Sequence, residues 1–108
     1  MTIRNVSVYG TVEANGSAAG IVASASDTVV ERCDNHAEIR STNVNAGGIA
    51  AVLDAGSSLL SCTNRGTVNG TDGVGGVVGV VQDANSSLTD CLNYAAVGAD
   101  GASIGAGG

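Results

Sequence analysis

Apolar and polar residues alternate over short stretches of this chain, and the same stretch returns at a fixed interval. It reads VERCDNHAEI at 30–39, LLSCTNRGTV at 59–68 and LTDCLNYAAV at 88–97. One template covers all three: an apolar residue, two variable positions, Cys, any residue, Asn, any residue, a small residue, any residue, then Val or Ile. The opening segment IRNVSVYGTV at 3–12 fits the same template, with Val6 in the Cys position and Val8 in the Asn position. Cys33, Cys62 and Cys91 therefore recur at one constant interval. From the Cys onward every second residue is apolar or small. The residues between are polar and variable: Asp34, His36 and Glu38 in one copy, Thr63, Arg65 and Thr67 in the next. A period of two is that of a strand with one buried face. No stretch sustains apolar residues at helical spacing between caps, so the reading is all-β.

A glycine-led apolar run forms the other half of each unit: GIVASASD at 20–27, GIAAVLD at 48–54 and GVVGVVQD at 76–83. The stretch from the leading Gly to the next Cys lengthens by one position with each copy, from Gly20–Cys33 through Gly48–Cys62 to Gly76–Cys91. The growth falls in the segments SASD, DAGSS and DANSS. Length changes of this kind belong in turns on the outside of a fold. Clusters of Gly, Asn and Asp at 14–17, 42–48, 69–76 and 98–101 predict further turns. A unit of about 28–29 residues, expected to hold two or three strands, cannot bury its apolar face alone. Stacking the units buries a continuous core and pairs equivalent strands in parallel, about 4.8 Å apart. The prediction is a parallel β-solenoid (β-helix) of three full coils with half-coils at the ends, one domain over 1–108. Its units run over about 13–40, 41–69 and 70–98, with partial units at 1–12 and 99–108, as in a piece of a longer chain.

Composition narrows the picture. The chain has 17 Gly, 16 Ala and 15 Val against only ten Ile plus Leu, with two Tyr and no Phe, Trp or Pro. A core built from such residues has to be thin. The third position after each leading Gly (Ala23, Ala51, Gly79) stays small and is expected to mark where opposite walls nearly touch. Ile21, Ile49 and Val77, one after the Gly, supply the bulk. Four Arg, no Lys and ten acidic residues give a net charge of −6, so no basic patch is available for phosphates and no nucleic-acid partner is expected. No apolar run reaches the roughly 18 residues of a membrane span, so no membrane insertion is expected. The segment 1–15 carries one Arg and no apolar h-region, so it does not read as a signal peptide.

Four sets of residues stand out as columns. Asn35, Asn64 and Asn93 either form a ladder of side-chain amides bonded from coil to coil or shape a bend in each coil. Cys33, Cys62 and Cys91 read as a structural column of buried thiols, with one disulfide between neighbouring coils as the alternative. An odd count excludes complete pairing, and thiols spread along an axis do not converge on a metal, so no metal or other cofactor is expected. Tyr9, His36, Arg65 and Tyr94 fall in one outward column three residues after the Cys position. They hold both tyrosines, the only histidine and one of the four arginines. Tyr and Arg are enriched at binding hot spots, which makes this a possible contact column; otherwise it is a solvated face. Asp27, Asp54 and Asp83 close the glycine-led runs, and Asp72 and Asp100 recur near the opposite turn. They read as turn formers, with relief of a like-charge column by Ca²⁺ as the alternative.

Gly75-Gly76-Val77-Val78-Gly79 followed by Cys91-Leu92-Asn93-Tyr94-Ala95-Ala96-Val97 resembles the GLUG motif. Ala46-Gly47-Gly48-Ile49-Ala50 followed by Cys62-Thr63-Asn64-Arg65-Gly66-Thr67-Val68 is similar to it as well. The first coil departs from the motif, with Ala19-Gly20 for Gly-Gly and valines for Cys and Asn. GLUG repeats occur in tandem in large secreted or surface-anchored bacterial proteins, including adhesin-like proteins and some IgA-cleaving metallopeptidases. The resemblance implies an extracellular or cell-surface repeat module, a rigid spacer or a contact surface for a host or surface glycan or protein. It implies no peptidase activity, because no H-E-x-x-H is present, and no enzyme is expected. The main alternative is a self-associating module that stacks end to end through open strand edges. A carbohydrate-binding or carbohydrate-active β-helix is the less favoured reading. Two Tyr and scattered Asp do not supply the aromatic platform and paired carboxylates of a sugar site.

Overall fold

The computed structural model describes residues 2–71, 73–82 and 85–99. The first coil holds β1 (Thr2–Arg4), β2 (Ser7–Val8), β3 (Thr11–Ala14), β4 (Ala18–Ala19) and β5 (Val22–Ser26). The second repeats them as β6 (Val29–Glu31), β7 (Asp34–Asn35), β8 (Glu38–Ser41), β9 (Ala46–Gly47) and β10 (Ala50–Asp54). The third has β11 (Ser58–Leu60), β12 (Thr63–Asn64), β13 (Val68–Gly70), β14 (Val74–Gly75) and β15 (Val78–Val81). β16 (Ser87–Thr89), β17 (Leu92–Asn93) and β18 (Val97–Ala99) begin a fourth. Equivalent strands pair in parallel into five narrow sheets, in the orders β1-β6-β11-β16, β2-β7-β12-β17, β3-β8-β13-β18, β4-β9-β14 and β5-β10-β15. The fold is a parallel β-solenoid.

Each coil has five strands rather than two or three, because the chain bends inside what reads as one alternating stretch. Cys33, Asn35, Ala37 and Ile39 are buried in turn while Asp34, His36 and Glu38 are partly exposed, so the period of two survives. The strand itself breaks after Asn35, whose Oδ1 accepts the Ala37 amide at 3.1 Å while its Nδ2 donates to the Ala37 carbonyl at 3.0 Å. This side-chain turn replaces ladder bonds locally and swings β8 onto a new wall.

The register absorbs the uneven spacing at two corners. Thr2 lies beside Val29 and Val29 beside Ser58, so the second step is the longer, while Val22, Ala50 and Val78 follow one another at equal steps. The second coil carries one residue more than the first between β10 and β11. It also carries one more between β8 and β9 than either neighbouring coil has at the matching corner.

A third kind of corner precedes every Cys position. Asn5, Arg32, Ser61 and Asp90 all have φ between 50° and 55°, the left-handed region that costs an L-residue about 1–2 kcal/mol. Asn and Asp tolerate it, and the Arg32 side chain is held by Asn5 Oδ1 at 3.1 Å and by Glu31 at 2.8 Å. Ser61 is exposed, and its backbone amide donates to the Thr89 carbonyl at 2.9 Å. Ser61→Gly keeps that bond and removes the Cβ conflict. After allowing for the extra freedom of glycine in the unfolded chain, it is expected to raise stability by about 0.5–1 kcal/mol. A denaturant midpoint that moves down would refute this.

The core is thin, and the small third position behaves differently from coil to coil. Ala23 is exposed, Ala51 is fully buried, and a Cβ on Gly79 would overlap the Gly73 carbonyl and meet the backbone oxygens of Ala51 and Ala46 at 2.7 and 2.8 Å. The walls also meet at the leading glycines. A Cβ on Gly20, Gly48 or Gly76 would overlap the side-chain amide of Asn35, Asn64 or Asn93 respectively. This contact divides the interior into two apolar lobes. One holds Val30, Cys33, Ile49, Leu53, Leu59, Cys62 and Val77; the other holds Ala18, Ala37, Ile39, Ala46, Val68 and Val74. Ile49 and Val77 fill the first lobe and Ile21 packs against it.

Candidate functional site

Between the two lobes runs the asparagine column, and each side chain both bends its own coil and bonds to the next. Asn35 Nδ2 donates to Asn64 Oδ1 at 2.9 Å, and Asn64 Nδ2 donates to Asn93 Oδ1 at 2.8 Å. Asn64 also closes its own turn, Nδ2 to the Gly66 carbonyl at 2.8 Å and Oδ1 from the Gly66 amide at 3.3 Å. Its four polar contacts use the full capacity of the amide in a fully buried position, as a buried polar group requires. Val8 holds the matching position beside Asn35 in the first coil and makes no such bond.

Cys33, Cys62 and Cys91 stack beside this column as free thiols, the first two fully buried and the third partly exposed. Each Sγ lies 3.5 Å from the carbonyl two residues earlier: Glu31, Leu60 and Thr89. Among the described residues no cluster of three or more His, Cys, Asp or Glu is arranged to hold a metal.

Tyr9, His36, Arg65 and Tyr94 lie at the convex corner between the sheet of β7 and that of β8, where the Asn-centred bend turns their side chains outward. They form two pairs. The Tyr9 and His36 rings stack with centroids 4.5 Å apart and 7° between planes. The Arg65 guanidinium carbon lies 4.8 Å from the Tyr94 ring centroid, within cation–π range. Tyr9 is 71% exposed and Tyr94 62%, so the stacking removes little of either from solvent. Because the rings stack along the solenoid axis, edges and hydroxyls face outward while ring faces meet their vertical neighbours.

Arg65 differs from the other arginines. Arg4 pairs with Glu31 at 3.7 Å, Arg32 with Glu31 at 2.8 Å, and Arg40 with both Glu13 at 3.3 Å and Glu38 at 3.2 Å. These exposed pairs add little stability each, but they neutralise the cations locally. Arg65 makes no ion pair among the described residues, so its charge is presented to solvent within the tyrosine column.

Asp27 and Asp54 do not stack one above the other. Asp54 lies beside Ser26, not Asp27, because Asp27 has moved one place on into the left-handed corner that Ala55 fills in the next coil. Asp54 Oδ1 accepts the Ala55 amide at 2.8 Å, a turn role. Asp72, Asp83 and Asp100 lie outside the described residues, as do the partial glycine-led run at 102–108 and nearly all of the unit at 99–108.

Two elements escaped the sequence reading. The leading glycines Gly20, Gly48 and Gly76 are the partners of the asparagines across the interior, and their equal spacing was the available signal. A serine corner is the other. Buried Ser57 accepts the Thr28 amide at 3.1 Å and donates to the Asp54 carbonyl at 2.7 Å, while its own amide donates to Ser86 Oγ at 3.0 Å. The recurring Ser in DAGSS and DANSS marked it.

No pocket is found among the described residues. Compared with protein-family models, curated proteins and solved structures, the chain has no match.

Proposed function

We propose that this chain is a structural and adhesive module of a bacterial cell-surface or secreted protein: a rigid spacer whose Tyr9–His36–Arg65–Tyr94 ridge is a contact surface. It is not an enzyme on this reading. The observation that carries it is the ridge itself, two stacked pairs on a convex edge that include the one arginine without an ion pair among the described residues. Rigidity is supported by the five parallel sheets and the continuous amide ladder. The extracellular setting is supported by the likeness of the two Gly-Gly and Cys-x-Asn segments to GLUG repeats.

The shape of the ridge favours a protein partner over a sugar. Carbohydrate recognition uses open ring faces, and here Tyr9 has one face against His36 and Tyr94 has one against Arg65. Outward hydroxyls, ring edges and a guanidinium suit a groove on a partner protein that offers a carboxylate and apolar walls. The test is binding to an array of extracellular-matrix proteins and glycans, comparing wild type with Tyr9→Ala/Arg65→Ala/Tyr94→Ala. All three side chains are exposed, so the variant is expected to fold. The expected result is binding to one or more proteins, weakened at least tenfold in the variant. Binding by neither chain would leave only the spacer role.

A further inference from the structure

The chain has two Asn-Gly pairs, Asn15-Gly16 and Asn69-Gly70, and the fold treats them oppositely. In such a pair the glycine nitrogen can close on the asparagine side-chain amide, because no side chain shields it and glycine reaches backbone angles that other residues avoid. Asn15 and Gly16 sit in the outward turn between β3 and β4, and both are exposed. The exposure belongs to the turn rather than to the first coil. Thr42 and Asn43 follow Ser41 as Asn15 and Gly16 follow its register partner Ala14, and they are exposed in the second coil as well. A Cβ on Gly16 would meet no atom within 4 Å, and the Gly16 amide donates to no backbone carbonyl among the described residues.

The second coil nevertheless holds this turn in place. Thr42 Oγ1 donates to Asn15 Oδ1 at 3.0 Å, and Ser41 Oγ donates to the Gly16 carbonyl at 2.7 Å. The Thr42 hydroxyl thus polarises the side-chain carbonyl under attack and faces the oxygen on which negative charge develops. Asn69 and Gly70 instead lie within β13, beside Gly98 and Ala99 of β18. Gly70 is buried, and a Cβ there would be 2.8 Å from Val74 Cγ2 and 3.1 Å from Ala46 Cβ. Ring closure would have to pull this glycine out of its ladder. We propose that Asn15 is a self-modification site, converted through a cyclic imide with Gly16 to aspartate and isoaspartate, while its strand protects Asn69.

Water and its hydroxide are the only co-reactants. The Gly16 amide loses its proton to hydroxide, and its nitrogen attacks Asn15 Cγ to form a new C–N bond. The bond from Cγ to Nδ2 breaks, and the side-chain amide leaves as ammonia after taking a proton from water. Water then opens the imide. Cleavage between Cγ and the Gly16 nitrogen leaves an ordinary aspartate; cleavage at the original peptide carbon leaves isoaspartate, with one extra carbon in the main chain. Nothing is oxidised or reduced. The fold accommodates either product. An aspartate carboxylate still accepts from Thr42, and the extra carbon falls at the corner where the second coil already carries one residue more than the first. Both products therefore keep the coil and add one negative charge to the turn.

Native chain held in mildly alkaline buffer and mapped by peptide mass spectrometry is expected to turn from amide to acid at Asn15, with ammonia released and isoaspartyl methyltransferase labelling the same peptide. Asn69 should convert slower by on the order of 100-fold, since it reacts only through local opening of β13. In concentrated urea the two pairs should react alike. Gly16→Ala, whose methyl group meets no neighbour, should slow conversion at Asn15 by roughly tenfold. Thr42→Val keeps the backbone bond from the Thr42 amide to the Ala14 carbonyl. It should slow Asn15 by roughly fivefold, the scale of one hydrogen bond, and leave Asn69 unchanged. Equal rates at the two pairs in the native chain, an Asn15 that converts only in urea, or faster conversion in Thr42→Val would each overturn the proposal.

Discussion

Asn64→Ala is expected to lower the unfolding free energy by about 4 kcal/mol, a large share of the ~5–15 kcal/mol that holds a domain of this size together. The substitution strands the groups that Asn64 now satisfies. Asn35 Nδ2 loses an acceptor at 2.9 Å, Asn93 Oδ1 loses a donor at 2.8 Å, and the Gly66 amide and carbonyl lose the turn that defines the corner. Each buried polar group left unpaired costs about 1–3 kcal/mol, and truncation leaves a void facing Gly48 as well. Chemical denaturation monitored by circular dichroism measures the loss, and a cost under about 1 kcal/mol would mean that the ladder is decorative.

Asn64→Asp separates hydrogen bonding from shape. An ionised carboxylate has no donor for Asn93 Oδ1 or the Gly66 carbonyl, and it sits between two apolar lobes. Burial therefore raises its folded pKa above the unfolded value of about 3.9. The folded state then holds its proton to higher pH than the unfolded state does, so stability falls as pH rises between the two values and is highest below both. Protonation also restores one donor. The variant is expected to be most like wild type at the acid end of that window, and a stability difference from wild type that does not change with pH would rule out a buried carboxylate.

The coil could be read from residues that serve the interior. The constant spacing of Cys33, Cys62 and Cys91 and the small or apolar alternate positions after them are consequences of stacking, and they predicted the parallel solenoid. What stayed hidden depends on contacts between distant segments. Nothing in Asn5, Arg32, Ser61 and Asp90 as residue types announces a shared left-handed corner; the stacked coils impose it on four unlike side chains. Asp27 and Asp54 look equivalent as the residues that close their glycine-led runs, yet the first run is one residue longer, which puts Ser26 beside Asp54. Asn35 posed a choice between ladder and bend because one amide has enough donors and acceptors for both. The outward column was visible as a recurrence, but its division into a ring stack and a cation–π pair depends on side-chain geometry that spacing does not encode.

Gly48→Ala is expected to be the second severe substitution, costing about 3 kcal/mol or more, at the upper end of what overpacking usually does. A methyl group there would overlap both the Asn64 amide and the carbonyl of Gly76. Overpacking typically costs about 1–3 kcal/mol when side chains can move aside. Neither neighbour is free to move. The Asn64 amide is tied by four hydrogen bonds, and the Gly76 carbonyl accepts the Gly48 amide at 2.9 Å as part of the inter-coil ladder. Gly16→Ala is the control: a Cβ there meets no atom within 4 Å, so stability should stay within about 0.5 kcal/mol or rise slightly. A double-mutant cycle assigns the cause. If the asparagine contact dominates, Gly48→Ala should cost at least about 1 kcal/mol less in the Asn64→Ala background, since the void left by the amide receives the methyl. Additive costs would instead place the conflict with the Gly76 carbonyl, making the glycine a requirement of coil-to-coil spacing rather than of the amide ladder.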